Sequence, residues 1–160
     1  MTDARIPRDA KAAFTASIRI ATSSDLDAIM AIERANFPDD AWSRDAMASE
    51  LGNPNGRYLV ALDGDEVIGY AGLRAVGDQA DVQTIAVRED HRRRGVALAL
   101  MRELLAEAAS RGAETTFLEV RADNLPAQTL YARLGFVAFT IRPGYYPGGV
   151  DAIVMQRRMR

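Results

Sequence analysis

Three strand-like runs follow one another in the middle of the chain, and they restrict the possible fold more than any other feature of the sequence. Residues 57–62, 67–76 and 80–87 are rich in β-branched and aromatic side chains, which favour strands. The short segments Asp63-Gly64-Asp65 and Gly77-Asp78 separate the runs and are typical of tight turns. Three consecutive strands joined in this way are most simply arranged as an antiparallel sheet.

Helix-like segments and further strands flank these runs. A strand is predicted at residues 17–20, and Ser23-Ser24-Asp25 offers an N-cap for a helix whose positions Leu26, Ile29, Met30 and Glu33 share one face. The other predicted elements are a helix from Ser43 to about residue 51, a long helix at 94–110, a strand at 115–120, a helix at 125–134, and strands at 136–141 and 151–158. This order of elements predicts an α+β fold.

Length and charge distribution narrow the class of protein. A chain of 160 residues has the usual size of one domain, and we expect a flexible N-terminal extension at residues 1–16 followed by a single domain at 17–160. The longest run without a charged residue or histidine spans nine residues, 124–132, which is about half of what a membrane span requires. No apolar signal core follows the first residues, so a cytoplasmic protein is predicted.

The chain has no cysteine, one histidine and a net charge of -2. The missing cysteine excludes disulfides, thiolate metal sites and a cysteine nucleophile. A zinc site or a histidine-based triad would depend on His91 alone, so no metal ion is expected. The charge argues against a general nucleic-acid-binding protein, for which a basic domain would be expected.

The segment that joins the third strand to the long helix conflicts with the rules of helix stability. Arg92, Arg93 and Arg94 stand where the helix is predicted to begin, although the helix dipole already places positive charge there. Gly95 in the first turn would cost about 1 kcal/mol relative to alanine. A bound anion would resolve both conflicts, because N–H groups at a helix start and arginines hold anions well. The alternative is a solvated basic turn. The Lys of a Walker P-loop and the additional glycines of a dinucleotide fingerprint are both missing.

Four motifs in order resemble the GNAT superfamily of N-acetyltransferases. Residues 84–87 followed by 92–97 are similar to its acetyl-CoA motif, in which the pyrophosphate loop has Gln or Arg, two variable residues, Gly, one variable residue, and Gly or Ala. Residues 118–121, Asn124 and residues 130–136 match the second half of the same family. Tyr145-Tyr146-Pro147 followed by residues 151–155 is most similar to the RimI type, the bacterial ribosomal-protein alanine N-acetyltransferases.

The resemblance implies a GNAT fold, in which a mixed, mostly antiparallel central sheet has two splayed strands and is flanked by helices. It implies acetyl-CoA as the co-substrate, with the pantetheine arm in the splay and the pyrophosphate at the start of the long helix. The positions that match the cofactor site are Ile85, Ala86, Val87, Arg93, Arg94, Gly95, Val96, Ala97, Leu98 and Asn124. Asn124 could equally cap the helix that follows it, since Pro126 is well placed in a first turn.

Two positions match the proposed proton-transfer groups of the family. Glu119 matches the general base and Tyr131 the general acid. Glu119 could instead be an ordinary strand carboxylate paired with Arg121, and Tyr131 an aromatic core residue. The Tyr131 hydroxyl distinguishes these interpretations, because phenylalanine would pack equally well but could donate no proton.

Three aromatic residues are candidates for substrate binding. Tyr145 and Tyr146 are predicted to lie in a Gly- and Pro-rich surface loop, and the resemblance places them along the groove for the substrate N-terminus. Trp42 falls in the helical region that faces the substrate in this family, although a single tryptophan is more often a core residue.

The leading hypothesis is an enzyme that transfers acetyl from acetyl-CoA to a protein N-terminal amine, that of alanine in a small-subunit ribosomal protein, by direct attack. At pH 7.4 roughly a quarter of a free α-amine is neutral but only about 0.1% of a lysine, so an N-terminal substrate demands little of its base. The alternatives are acetylation of a lysine or a small amine, a non-catalytic acyl-CoA-binding module, and a small nucleic-acid-binding domain, which the net charge disfavours. No membrane or direct nucleic-acid partner is expected.

Overall fold

One mixed sheet organises the protein, whose computed structural model describes residues 15–159. Within that range the strands are β1 Ser17–Ile20, β2 Gly56–Asp63, β3 Glu66–Val76, β4 Gln79–Val87, β5 Thr115–Arg121, β6 Val137–Tyr146 and β7 Val150–Arg158. Their order across the sheet is β1-β2-β3-β4-β5-β7-β6. Only β4 and β5 pair in parallel among these described strands. The predicted mostly antiparallel α+β architecture is therefore confirmed.

Helices cover both faces of this sheet. They are α1 Leu26–Asn36, α2 Arg44–Leu51, α3 Val96–Ser110 and α4 Leu125–Arg133, and single 3-10 turns occupy Ser23–Asp25, Glu89–His91 and Pro147–Gly149. α3 and α4 share a buried cluster with one face of the sheet, and α1 and α2 share a second cluster with the other face. In residues 15–159 no helix is both long enough and apolar enough to cross a membrane.

Local sequence signals account for the ends of α1 and α2. Thr22 and Asp25 form a reciprocal capping box before α1, and Asp25 also accepts hydrogen bonds from the Arg19 guanidinium. The cap therefore begins one residue earlier than the predicted Ser23. The predicted Ser43 cap of α2 is confirmed, because its Oγ accepts a hydrogen bond from the Ala46 N–H at 3.1 Å. Between these helices lies an irregular segment at residues 37–43.

The central strands β4 and β5 diverge soon after they meet. Their parallel pairing is confined to Gln79–Asp81 and Thr115–Phe117. Beyond it, β4 stays paired with β3 as far as Val87, and β5 stays paired with β7 as far as Arg121. Half of the main-chain amide groups of β4 after Asp81 therefore face the gap instead of a neighbouring strand. The splay implied by the family resemblance is present.

Two predicted boundaries were wrong. α3 begins at Val96 and not at residue 94, because Gly95 has a left-handed backbone conformation with φ of 81° and ends the preceding loop as the N-cap. The penultimate strand continues to Tyr146, where a loop was expected, and a register shift between Arg142 and Tyr146 accommodates Pro143 and Gly144. Of the predicted extension at residues 1–16, all but Thr15 and Ala16 lie outside the described residues, and the division of the chain at residue 17 stays a prediction.

Candidate active site

A cleft of about 1040 Å³ opens where β4 and β5 diverge. Its walls are the second half of β4, the start of α3, the end of β5 and the inner face of α4. The predicted site residues that line it are Trp42, Ile85, Ala86, Val87, Arg93, Gly95, Val96, Ala97, Leu98, Glu119, Asn124, Tyr131 and Tyr146. The fold thus brings together residues that are up to about a hundred positions apart in the sequence.

The start of α3 forms one end of the cleft. The first main-chain hydrogen bond of the helix runs from the Ala99 N–H to the Gly95 carbonyl at 3.0 Å, so the N–H groups of residues 96–98 have no acceptor within the helix. Positive φ angles at Arg93 (65°) and Gly95 (81°) produce the sharp turn before it. Glycine adopts this conformation readily. The loss of helix stability that was predicted for Gly95 relative to alanine therefore does not arise, because Gly95 lies before the first turn and not inside it. An anion at this helix start would meet free N–H donors and a favourable dipole.

The three arginines before α3 have different surroundings. Arg92 donates to the Asn36 side chain at 2.6 Å and to the Val87 carbonyl at 3.4 Å, which ties the loop to α1 and β4. Arg93 lines the cleft with an exposed side chain. Arg94 is also exposed but is not among the residues that line the cleft, so its predicted contact with the cofactor stays a prediction.

Glu119 lies on β5 at the far side of the cleft, opposite Val154 of β7. Its side chain is 29% exposed and accepts a hydrogen bond from the Arg142 guanidinium on β6. The alternative pairing with Arg121 is not formed, because the Arg121 Nε donates to Asp123 at 3.0 Å. A carboxylate has about four lone-pair sites, so Arg142 leaves Glu119 with acceptor capacity.

Tyr131 is 7% exposed on the inner face of α4, where its ring packs edge to face against Phe136 with 6.1 Å between the ring centres. Its hydroxyl makes no hydrogen bond to any other described residue. Burial, with a smaller contribution from Tyr146, raises the pKa of Tyr131 to about 12. The side chain is therefore a neutral phenol at physiological pH and presents its proton to the cleft.

Asn124 performs the structural role that the sequence left open. Its Oδ1 accepts a hydrogen bond from the Ala127 N–H at 3.1 Å and so caps α4, with Pro126 in the first turn. The capping interaction uses only the carbonyl end of the amide. Because Asn124 also lines the cleft, its NH₂ group remains available as a donor there.

A second opening of about 800 Å³ continues the cleft along β4, β5, β6 and β7. Asp40, Trp42, Glu119 and Tyr146 line both spaces, whereas Tyr145 lines only the second. Glu119 therefore stands at the junction of two compartments. The first contains the helix start, and the second contains the three predicted substrate-binding aromatics.

Tyr145 and Tyr146 pack against each other and against arginines. Their ring centres are 5.1 Å apart, the Arg142 guanidinium lies 4.7 Å from the Tyr145 ring centre, and that of Arg121 lies 5.2 Å from the Tyr146 ring centre. Burial and the negative charge of Glu119 raise the pKa of Tyr146 to about 12. The Glu119 charge likewise raises the pKa of Tyr145. Both side chains are thus neutral, polar-tipped aromatics beside a carboxylate.

Glu33, which lines the first compartment, and Asp81, which lines the second, were not predicted as site residues. Glu33 on α1 is 1% exposed, and its Oε2 accepts a hydrogen bond from the Trp42 main-chain N–H at 2.9 Å. Its position on an apolar helix face was the available signal. Asp81 lies at the last position at which β4 pairs with β5, and burial together with the Glu119 charge raises its pKa. Nothing in the local sequence distinguishes Asp81 from an exposed strand residue.

Comparison with known proteins agrees with this geometry. The sequence model of the acetyltransferase (GNAT) family matches residues 26–136. A protein of Salmonella typhimurium described as [ribosomal protein bS18]-alanine N-acetyltransferase is 41% identical over 146 residues, which are 87% of this chain and 95% of that protein. The chain therefore belongs to the GNAT acetyltransferase family.

Two further relatives differ in how much of their length this chain covers. The crystal structure of the ribosomal-protein-S18-alanine N-acetyltransferase from Escherichia coli superposes with a TM-score of 0.82 at 33% identity and covers 91% of this chain and 94% of that one. A longer, uncharacterized protein of Mycobacterium leprae is 39% identical over 142 residues, which are 85% of this chain but only 39% of that protein. The GNAT match ends at Phe136, so Tyr145 and Tyr146 lie beyond it.

Proposed function

We propose that this chain transfers an acetyl group from acetyl-CoA to the N-terminal α-amine of a protein, with an alanine of a small-subunit ribosomal protein as the substrate. The observation that carries the proposal is the meeting, in one cleft, of a helix start without a side-chain cap, a carboxylate and a buried phenol. The Salmonella relative, whose name states an alanine of ribosomal protein bS18 as its substrate, supports the choice of acceptor.

The residues of the first compartment suit acetyl-CoA. The N–H groups at the start of α3 and the Arg93 guanidinium would hold the pyrophosphate, because they offer donors and positive charge without a competing partner in the helix. Ile85, Ala86 and Val87 would pair through their main chain with the amides of the pantetheine arm, as a missing strand would. The NH₂ group of Asn124 would donate to the same arm.

Glu119 would collect the proton of the attacking amine. Acetyl-CoA supplies a thioester, and the amine nitrogen forms a bond to its carbonyl carbon. Since about a quarter of a free α-amine is already neutral at pH 7.4, Glu119 needs only to accept the remaining proton, directly or through a water, and to orient the amine. Its position at the junction of the two compartments supports this role.

Tyr131 would donate its phenolic proton to the sulfur as the carbon–sulfur bond breaks. Burial favours the neutral phenol, so the proton is in place before attack. The proton that Glu119 accepts balances the one that Tyr131 gives up. Tyr145, Tyr146 and Trp42 would enclose the first residues of the acceptor in the second compartment.

Thiol release from acetyl-CoA tests the proposal. Peptides that begin with Ala, Ser or Met are compared with an acetyl-Ala peptide and with a blocked peptide that carries one internal lysine. We expect release with the free α-amines, greatest for alanine, and background rates with the two blocked peptides. Release with the lysine peptide alone would identify a lysine acetyltransferase. Acetyl-CoA binding without turnover on any amine would identify a binding module, and salt-sensitive RNA binding without acetyl-CoA binding would identify a nucleic-acid-binding domain.

A further inference from the structure

The segment between α1 and α2, residues 37–43, forms one rim of both compartments through Asp40 and Trp42. It contains no helix or strand, and its internal main-chain support includes a long bond from the Asp40 N–H to the Phe37 carbonyl at 3.3 Å. A rim of this kind needs an external anchor if it is to hold an acceptor in a reproducible position.

Glu33 provides such an anchor. Its Oε2 accepts the Trp42 main-chain N–H at 2.9 Å, and its Oε1 accepts from the Tyr70 hydroxyl on β3 and, at 3.4 Å, from the Thr84 hydroxyl on β4. One carboxylate thus connects the rim to two strands of the sheet. Thr84 and Glu33 themselves line the cleft.

The burial of this carboxylate is difficult to explain by stability alone. Glu33 is 1% exposed and has no cationic partner among the ion pairs of the described residues. A charge in such a place is costly unless hydrogen bonds compensate it, and an apolar side chain would fill the same volume more cheaply. What an apolar side chain could not do is accept the main-chain N–H of Trp42.

We infer that Glu33 is a positioning residue for the amine acceptor: it fixes the 37–43 rim through Trp42, and so sets how the first residue of the substrate meets Glu119. The inference rests on the proposed function for the identity of the acceptor. The contact between Glu33 and Trp42 does not depend on the proposed function, because the anchoring of Trp42 can be measured without turnover.

Two substitutions separate positioning from packing. Glu33→Ala removes the acceptor of the Trp42 N–H, whereas Tyr70→Phe removes one donor to Glu33 and leaves the Trp42 contact intact. We expect Glu33→Ala to raise the KM for an Ala-initiated peptide about tenfold, the size of a lost hydrogen bond to a charged group. The KM for acetyl-CoA should change less than about twofold, and Tyr70→Phe should leave the peptide KM near that of the wild type.

Tryptophan fluorescence gives a second readout, because Trp42 is the only tryptophan of the chain. Release of the rim by Glu33→Ala should shift Trp42 emission to longer wavelength, and Tyr70→Phe should not. Glu33→Gln should restore both the emission and the peptide KM, since its carbonyl oxygen can accept from Trp42 while its NH₂ donates to the Tyr70 hydroxyl. If Glu33→Ala does not fold, Glu33→Asp, whose carboxylate is one methylene short of the Trp42 N–H, replaces it.

The outcomes distinguish this inference from the proposed function. Unchanged emission and peptide KM in the folded Glu33→Ala or Glu33→Asp variant, or an equal rise of the KM for both substrates, would overturn the positioning role. A wild-type chain that acetylates no α-amine peptide, combined with the expected emission shift, would contradict the proposed function while the anchoring of the rim stands.

Discussion

The two compartments of the cleft are built in different ways. In the cofactor compartment, which is the first compartment, the groups proposed to hold acetyl-CoA are mostly main-chain groups of two neighbouring segments, the end of β4 and the start of α3. The acceptor compartment, which is the second compartment, brings together side chains from the 37–43 segment, β4, β5 and β6, among them Trp42, Asp81, Glu119, Arg142 and Tyr146. Main-chain recognition depends on backbone shape and tolerates many side chains, whereas side-chain recognition depends on each residue present. A cofactor shared by a whole family suits the first design, and an acceptor that differs among members suits the second.

The largest effect is expected in the cofactor compartment, from Tyr131→Phe. The variant keeps the packing against Phe136 but loses the only proton that the buried ring can donate, so kcat should fall about 100-fold or more. The KM for acetyl-CoA and the Tm should stay near wild type. Because the pKa of Tyr131 is raised to about 12, wild-type kcat should not decline between pH 8 and 10 through loss of this acid. Turnover at the wild-type level in the variant, at saturating substrates, would exclude Tyr131 as the acid.

Glu119→Gln should produce a smaller and pH-dependent loss. The amide cannot accept a proton, so kcat/KM for the peptide should fall about 10- to 100-fold at pH 7. The loss should shrink as the pH rises through the α-amine pKa of about 8, because the free amine then arrives without a proton. The ratio of the wild-type kcat/KM to that of the variant, measured between pH 7 and pH 9, tests this expectation. A loss that is the same at pH 7 and pH 9 would assign Glu119 to binding and not to proton transfer.

Gly95→Ala tests the main-chain design of the cofactor compartment. The added Cβ meets nothing within 4 Å, so the effect comes from the φ of 81°, which costs a non-glycine residue about 1–2 kcal/mol. If that strain reshapes the turn before α3, the KM for acetyl-CoA should rise up to about tenfold while the peptide KM stays constant. Gly112→Ala is the matched control, because Gly112 follows the other end of α3 with φ of 88° and equally open space. Gly112→Ala should lower the Tm by about as much as Gly95→Ala does, and it should leave both KM values unchanged.

The same contrast explains what the sequence could predict. The loop and helix start at one end of the first compartment lie in contiguous residues, so the strand pattern, the unfavourable arginines and Gly95 were enough to predict a candidate anion site there. The fold followed from strand and helix periodicity, with the main errors at Gly95 and Tyr146, where a positive φ and a register shift override local propensity. These are backbone features that side-chain patterns encode weakly.

The acceptor compartment could be predicted only in part. Tyr145 and Tyr146 were identified through resemblance, but their place in a strand and their contacts with arginines follow from pairing between β6 and β7. The partner of Glu119 is Arg142, 23 positions away, and no local pattern points to it. Glu33 and Asp81 enter the site through tertiary packing alone. Long-range contacts between side chains cannot be predicted from the pattern of a single sequence.

The smallest expected effect is a pH-dependent change in stability at the cofactor end, from His91. This imidazole is 7% exposed, and it is hydrogen-bonded through Nε2 to Asp63 at 2.9 Å and through Nδ1 to Asp90 at 2.8 Å. The two carboxylates, Asp63 first, raise the pKa of His91. A raised pKa in the folded state means that the contribution to stability is complete below the unfolded-state value of about 6.5 and is lost as the pH rises through the folded-state value. The Tm advantage of the wild type over His91→Asn should therefore be largest near pH 6 and shrink toward pH 9. An advantage that stays constant over this range would mean that His91 stabilises the loop before α3 by neutral hydrogen bonds and not by its charge.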